Sequence, residues 1–167
     1  MGSLISGDAL KRLVSRVVSG APDLNAQLGE NGFDLTLMSV ERFEDAGAID
    51  FDNSGRRLSK TERLEFGEDG WLHLKAGAYK IKFNEIVRIP KDVVALTLPR
   101  SSLLRCGVSI ESAVWDAGYE GRGEVLLVVH NPNGFYVKKD ARVAQMIFIR
   151  CSEPVEKGYS GAYQGVV

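Results

Sequence analysis

Cysteine is scarce. Cys106 and Cys151 are the only two in 167 residues, too few for a disulfide framework and without metal-site spacing. Both stand among apolar neighbours, which predicts buried or partly buried free thiols, and the usage fits a reducing cytoplasm. No run approaches the ~18 consecutive apolar residues of a membrane span. The opening MGSLISGDALKRLV has no basic start followed by a continuous apolar stretch, so no leader is read. No sign of charge dominates either: 21 basic against 22 acidic side chains leave a formal charge of −1. That excludes a nucleic-acid coat built on basic excess. His73 and His130 are the only histidines, and both read as structural.

What is present is a globular composition, 44% hydrophobic and 26% charged, at a length that fits one domain over residues 1–167. Residues 6–19 read as a helix. Leu10, Leu13, Val14, Val17 and Val18 recur on one face, Ser6 or Asp8 can cap the start, and Gly20-Ala21-Pro22 stops it. Beyond it, short apolar segments alternate with turns at intervals near ten, the mark of a mainly β sandwich or barrel. Expected strands are Phe33 to Val40, Tyr79 to Val87, Val93 to Leu98, Val125 to Val129, Gly134 to Val137 and Val143 to Ile149. Val125 to Val129 is continuously apolar, which predicts burial on both faces. Residues 44–70 are polar and read as a hairpin or surface excursion. Residues 152–167 lack periodicity and read as a flexible C-terminal arm.

Two stretches carry chemistry. Pro99-Arg100-Ser101-Ser102-Leu103-Leu104-Arg105 places two guanidiniums and two hydroxyls directly after a strand. Arginine offers paired donors to phosphate oxygens and serine adds directional bonds; the same run also reads as a strand-to-helix connection with serine at the N-cap. Trp115-Asp116-Ala117-Gly118-Tyr119-Glu120-Gly121 sets an acid between apolar neighbours beside a tight turn. Asp116 is thus a candidate general base and Tyr119 a flat face for a sugar, or the segment is a plain β-turn.

Together these segments resemble the family of trimeric dUTPases and dCTP deaminases. Gly32-Phe33-Asp34-Leu35 is similar to the family's first motif and Pro99-Arg100-Ser101-Ser102-Leu103 to its second. Ala113 to Gly121 is similar to the third, and Arg142-Val143-Ala144-Gln145-Met146-Ile147 to the fourth. The resemblance spans about residues 29 to 165. It implies a distorted jelly-roll-type β-barrel carrying the one N-terminal helix, and a homotrimer with active sites between subunits. It further implies dUTP as substrate, Mg²⁺ bound mainly through the phosphates, and no metal ligand from the protein. Arg100, Ser101, Ser102 and Arg105 would hold phosphates, with Gln145 contributing across a subunit boundary, and Tyr119 would exclude a 2′-hydroxyl. Asp34 reads as structural or supporting. The tail Lys157-Gly158-Tyr159-Ser160-Gly161-Ala162-Tyr163-Gln164-Gly165 lacks the arginine of the usual dUTPase arm. Tyr163 could stack on the nucleotide and Lys157 meet a phosphate.

The two branches differ in one group. The deaminases use a glutamate in the strand after the third motif. Five residues past Gly121 stands Leu126, and three before Asn131 stands Val128. Neither can move a proton, which favours dUTP hydrolysis with Asp116 activating the water. Glu124 shares their strand parity, so a register shift at Arg122-Gly123 would keep a dCTP deaminase, or a bifunctional enzyme, open. A non-catalytic nucleotide-binding module is the third reading.

Overall fold

The computed structural model describes residues 2–167, so Met1 of the expected domain lies outside the described residues. In chain order it comprises β1 (Ser3–Leu4), α1 (Gly7–Val17), β2 (Val18–Ser19), α2 (Leu24–Gln27), β3 (Phe33–Phe43), β4 (Thr61–Leu64), β5 (Trp71–Leu74) and β6 (Gly77–Arg88). There follow β7 (Val93–Pro99), α3 (Ser101–Arg105), β8 (Val108–Glu111), β9 (Glu120–Val129), β10 (Phe135–Lys138) and β11 (Arg142–Arg150). The chain is mainly β, a nine-stranded curled sheet plus the β5–β10 pair.

Helix α1 forms where the periodicity places it, burying Leu10, Leu13, Val14 and Val17. It ends two residues short of the expected 19. Val18 and Ser19 instead pair with Val87 and Ile86 of β6, because a sheet edge satisfies their backbone groups where a last helical turn would leave orphan carbonyls. Ser6 occupies the N-cap position without a side-chain bond.

Strand β3 changes neighbours along its length. Its first residues pair with β11 and its later ones lie between β6 and β4. This handover curls the sheet around one core, where Phe33, Leu35 and Leu37 meet Phe83, Leu127, Met146 and Phe148, all fully buried or nearly so. Filling that core at interior density makes single truncations costly, about 2–5 kcal/mol for Leu→Ala.

Two expectations are corrected here. Strand β9 is not buried on both faces: Val125, Leu127 and Val129 point inward, while Leu126 and Val128 stay half-buried on the outer face. Cys106 is exposed rather than buried, since it follows the last turn of α3 at the surface. Of the excursion anticipated over 44–70, residues 44–60 form it, pinned by an Ala48–Arg57 bridge, whereas Thr61–Leu64 return to the sheet as β4 against β3. Among the described residues no helix is long and apolar enough to cross a membrane.

Candidate active site

Three strands lie side by side at one end of the sheet, with β11 between β3 and β7. Gln145 of β11 faces Asp34 on one side and Leu98 on the other. Cross-strand partners share a face, so segments more than a hundred residues apart converge. They open into a cleft of about 500 Å³ lined by Arg100, Ser101, Arg142, Gln145 and Asp34, with the α2 residues Ala26 and Gln27 above.

Asp34 organises this cleft. Its carboxylate is 3.0 Å from Arg100 Nε and 3.5 Å from Arg142 Nη1. Arg100 also donates to the Arg142 carbonyl at 3.3 Å, and Arg142 donates to the Ala26 carbonyl at 2.6 Å. Burial pushes the Asp34 carboxyl above its ordinary range, and the two arginines and Gln145 pull it back only in part. The result is two guanidiniums fixed by one acid yet still facing open space, an arrangement suited to an oligophosphate. Of the residues singled out from sequence, Arg100, Ser101 and Gln145 line this cleft, so Gln145 stands beside Arg100 on the same chain rather than across a subunit boundary from it. Ser102 is exposed beside them. Arg105 donates to the Ser101 carbonyl at 3.2 Å, closing α3 on itself. Arg100, not serine, occupies the N-cap position of α3.

The Asp116 segment lies elsewhere on the chain. Trp115 bridges Ala95 of β7 through two backbone bonds of 2.9 and 3.0 Å, and its ring packs against Gly123, where a Cβ would sit 2.0 Å from the indole Cη2. Phe83 stacks against the same ring at 6.4 Å between centroids. Asp116 is thereby held exposed on a fixed base, next to Ala117, Lys157 and Tyr159 in a second hollow of about 480 Å³. Arg100 lies five residues beyond Ala95, about 16 Å along β7 at ~3.3 Å per residue. The arginine cleft and the Asp116 hollow are therefore separate on one chain.

Tyr119 is half-buried. Its ring meets Trp115 edge-on at 5.5 Å and Tyr159 at 5.6 Å, and its hydroxyl donates to the Arg122 carbonyl at 3.0 Å. Burial, with Tyr159 and Glu124 adding to it, raises the phenol above 10, so it stays neutral near pH 7. The arm has no helix or strand but docks on this loop. Tyr159 N donates to Ala117 O, Gly165 N to Glu120 O, and Arg122 N to Val166 O. Gln164 bonds both Glu120 N and Gly118 O. Gly118, at φ +86°, lets the arm approach: a Cβ there would sit 2.5 Å from Gly158 Cα. Tyr163 is exposed, and the aromatic resting on Tyr119 is Tyr159.

Glu124 faces outward with Leu126 and Val128, as parity predicts, and pairs with Lys80 at 3.5 Å and Lys82 at 3.3 Å. Arg142 has no signal in the sequence beyond its place at the start of the Arg142–Ile147 motif, and Gln27 and Glu85 carry no local signal.

Comparison with known proteins agrees with this geometry. The family model described as dCTP deaminase-like matches residues 4–151. The Methanococcoides burtonii protein named "Probable deoxyuridine 5′-triphosphate nucleotidohydrolase" is 51% identical over 165 residues, 97% of each chain. The deoxyuridine 5′-triphosphate nucleotidohydrolase of Methanocaldococcus jannaschii is 40% identical over 140 residues, 83% of this chain and 88% of its own. Among solved structures, the 2′-deoxycytidine 5′-triphosphate deaminase of Agrobacterium tumefaciens has a TM-score of 0.69 at 19% identity. That match covers 89% of this chain and 48% of the deaminase chain. The native EIAV dUTPase has a TM-score of 0.51 at 14% identity, covering 87% and 97%. These two likenesses give the fold, a distorted β-barrel, and the close sequence relatives give the branch. The chain belongs to the dCTP deaminase-like family and, within it, to the deoxyuridine 5′-triphosphate nucleotidohydrolases.

Proposed function

We propose that the protein hydrolyses dUTP to dUMP and pyrophosphate, with Asp116 activating the water. The observation that carries this reading over deamination is the outer face of β9. Leading away from the Asp116 loop it presents Leu126 and Val128, and its two carboxylates are both engaged, Glu120 by Arg88 and Glu124 by Lys80 and Lys82. Attack at C4 of cytosine needs a free proton carrier, whereas attack on phosphorus needs a base for water and a cradle for charge. Asp116 supplies the first and the arginine cleft the second.

In the reaction the Asp116 carboxylate takes a proton from a water whose oxygen bonds to the α-phosphorus. The bond from that phosphorus to the bridging oxygen breaks, and pyrophosphate departs. Arg100, Ser101, Ser102 and Gln145 hold the phosphates, with Arg142 beside Arg100 and Arg105 at the rim. Positioning and electrostatics then do most of the work. Tyr119 closes the sugar side against a 2′-hydroxyl. Mg²⁺ fits as an ion borne on phosphate oxygens and water. Asp34 is taken by two arginines, and no cluster of three or more metal-type side chains forms among the described residues. Such an ion supplies charge neutralisation to the triphosphate.

Because the two half-sites are separated within one chain, a second copy would complete the site, and the family resemblance makes that assembly a homotrimer in which the arginine cleft of one copy faces the Asp116 loop of another. The half-buried Leu126 and Val128 and the exposed Leu98, Leu104 and Val114 supply apolar surface for that contact.

The test is direct. The protein is incubated with dUTP or dCTP and Mg²⁺, and pyrophosphate and ammonia are measured. Pyrophosphate from dUTP without ammonia from dCTP is the expected result; ammonia from dCTP defeats the reading.

A further inference from the structure

A carboxylate that the reaction does not use is sealed behind the arginine cleft. Alternation along β6 turns Tyr79, Ile81, Phe83, Glu85 and Val87 inward, so Glu85 occupies a core position and has no solvent exposure. Three donors surround it. Gln27 Nε2 and Thr36 Oγ1 each reach Oε1 at 2.6 Å, and Thr36 N reaches Oε2 at 3.0 Å. A buried acid is expensive to desolvate and worth keeping only where its partners need it.

Gln27 lines the cleft, and Thr36 backs it on the strand that carries Asp34. Thr36 stands two residues from Asp34 on the same face of β3. Gln27 Nε2 donates to the Asp34 carbonyl at 2.8 Å as well as to Glu85, and Gln27 Oε1 accepts from Asp23 N at 3.0 Å. Four-residue α2 is too short to hold itself in place, and Gln27 is its buried residue. Its Ala26 carbonyl in turn fixes Arg142. A continuous chain therefore runs from Glu85 through Gln27 and α2 to Arg142, and through Thr36 and β3 to Asp34 and Arg100.

We propose that Glu85 is a positioning residue for phosphate binding: it sets Arg100 and Arg142 by anchoring Gln27 and Thr36. The proposal rests on the reading of the cleft as the phosphate site. Glu85→Gln keeps the shape, but either amide orientation sets an NH₂ against the N–H of Thr36 or of Gln27, so β3 or α2 loses its anchor. Gln27→Met cuts the link through α2 and leaves Glu85 its two bonds from Thr36.

The experiment measures inorganic pyrophosphate binding by calorimetry, with KM and kcat for dUTP, on the full-length wild type and variants. Glu85→Gln and Gln27→Met should each weaken pyrophosphate binding and raise KM by about tenfold, with kcat changed much less. The double variant should show a less than multiplicative loss, because both substitutions act on the Gln27–Glu85 bond. A merely structural role would lower the melting temperature and leave KM and pyrophosphate affinity intact in the folded protein; that result overturns the proposal, as do multiplicative losses. Should Glu85→Gln fail to fold, unchanged pyrophosphate binding in Gln27→Met overturns it alone. Arg100→Ala separates the two ideas. If it weakens pyrophosphate binding while the Glu85 and Gln27 variants do not, the phosphate reading stands and the positioning role falls. If it leaves pyrophosphate binding unchanged, both fall.

Discussion

Asp116 and Gly118 sit two residues apart and make opposite demands on their surroundings. Asp116 must stay open to water, and Trp115 secures it from behind without covering it. Asp116→Asn keeps the shape and removes the base, so kcat for dUTP should fall by about 10²–10⁴ while nucleotide binding changes little. Steady-state kinetics beside calorimetric binding of a non-hydrolysable dUTP analogue checks this, and normal turnover would end the general-base assignment. Gly118 must stay bare, for its positive φ and its contact with Gly158 both exclude a side chain. Gly118→Ala should cost about 1–3 kcal/mol and loosen residues 158–166 from the loop, read as faster amide exchange in that segment. Much of this was legible in the sequence. Asp116, Tyr119 and the serine–arginine run are contiguous with their turns, so the residues of the proposed site could be named locally. The choice between Tyr163 and Tyr159 could not, because an arm without periodicity carries no signal of which aromatic docks.

At the scale of strands, pairing decides what the sequence leaves open. Asp34 reads as a supporting residue until β3 and β11 align it with Gln145, 111 positions later. Gln27 and Glu85 are ordinary polar residues in sequence and become partners only when α2, seated on β3, brings Gln27 to the buried end of β6. Val18 and Ser19 continue a helical pattern but leave it, since the edge of β6 offers hydrogen bonds that no local propensity reveals. Strand pairing also creates a cluster on the outer face of β6, where Lys80 contacts Glu41 at 2.7 Å and also meets Glu124. Burial alone would raise the Glu41 carboxyl, but bonds from Lys80 and Thr61 outweigh it and leave it below 4.5. Burial alone would lower the Lys80 ammonium, yet Glu41 and Glu124 bring it above 10.5. The stabilisation from Glu41 is therefore present above pH 4.5 and lost as pH falls through its depressed value. That from Lys80 is present below pH 10.5 and lost as pH rises through its elevated one. Lys80→Met should lower stability by about 1 kcal/mol, some 2–4 °C in melting temperature, and the deficit should be constant between those limits and shrink in acid.

For the whole molecule, the separation of the arginine cleft from the Asp116 loop makes assembly testable through function. Light scattering should return about three times the 18.3 kDa chain mass. Subunits carrying Arg100→Ala and subunits carrying Asp116→Asn should each be nearly inactive alone. Mixed after mild dissociation, they should recover activity in about a quarter of the sites, since some interfaces pair an intact cleft with an intact loop. A mixture that stays inactive, with mixed trimers present by native mass spectrometry, would place both halves of each site within one subunit.

Strand β7 acquires a meaning from this spacing that concerns tolerance to change. With Trp115 clasped at Ala95 and Arg100 at its far end, it works as a ruler of fixed length. One inserted residue would add about 3.3 Å and turn every later side chain to the opposite face. Length variation, natural or engineered, therefore has its proper home in the 44–60 excursion, the place to seat an epitope or a fluorophore while leaving the ruler alone.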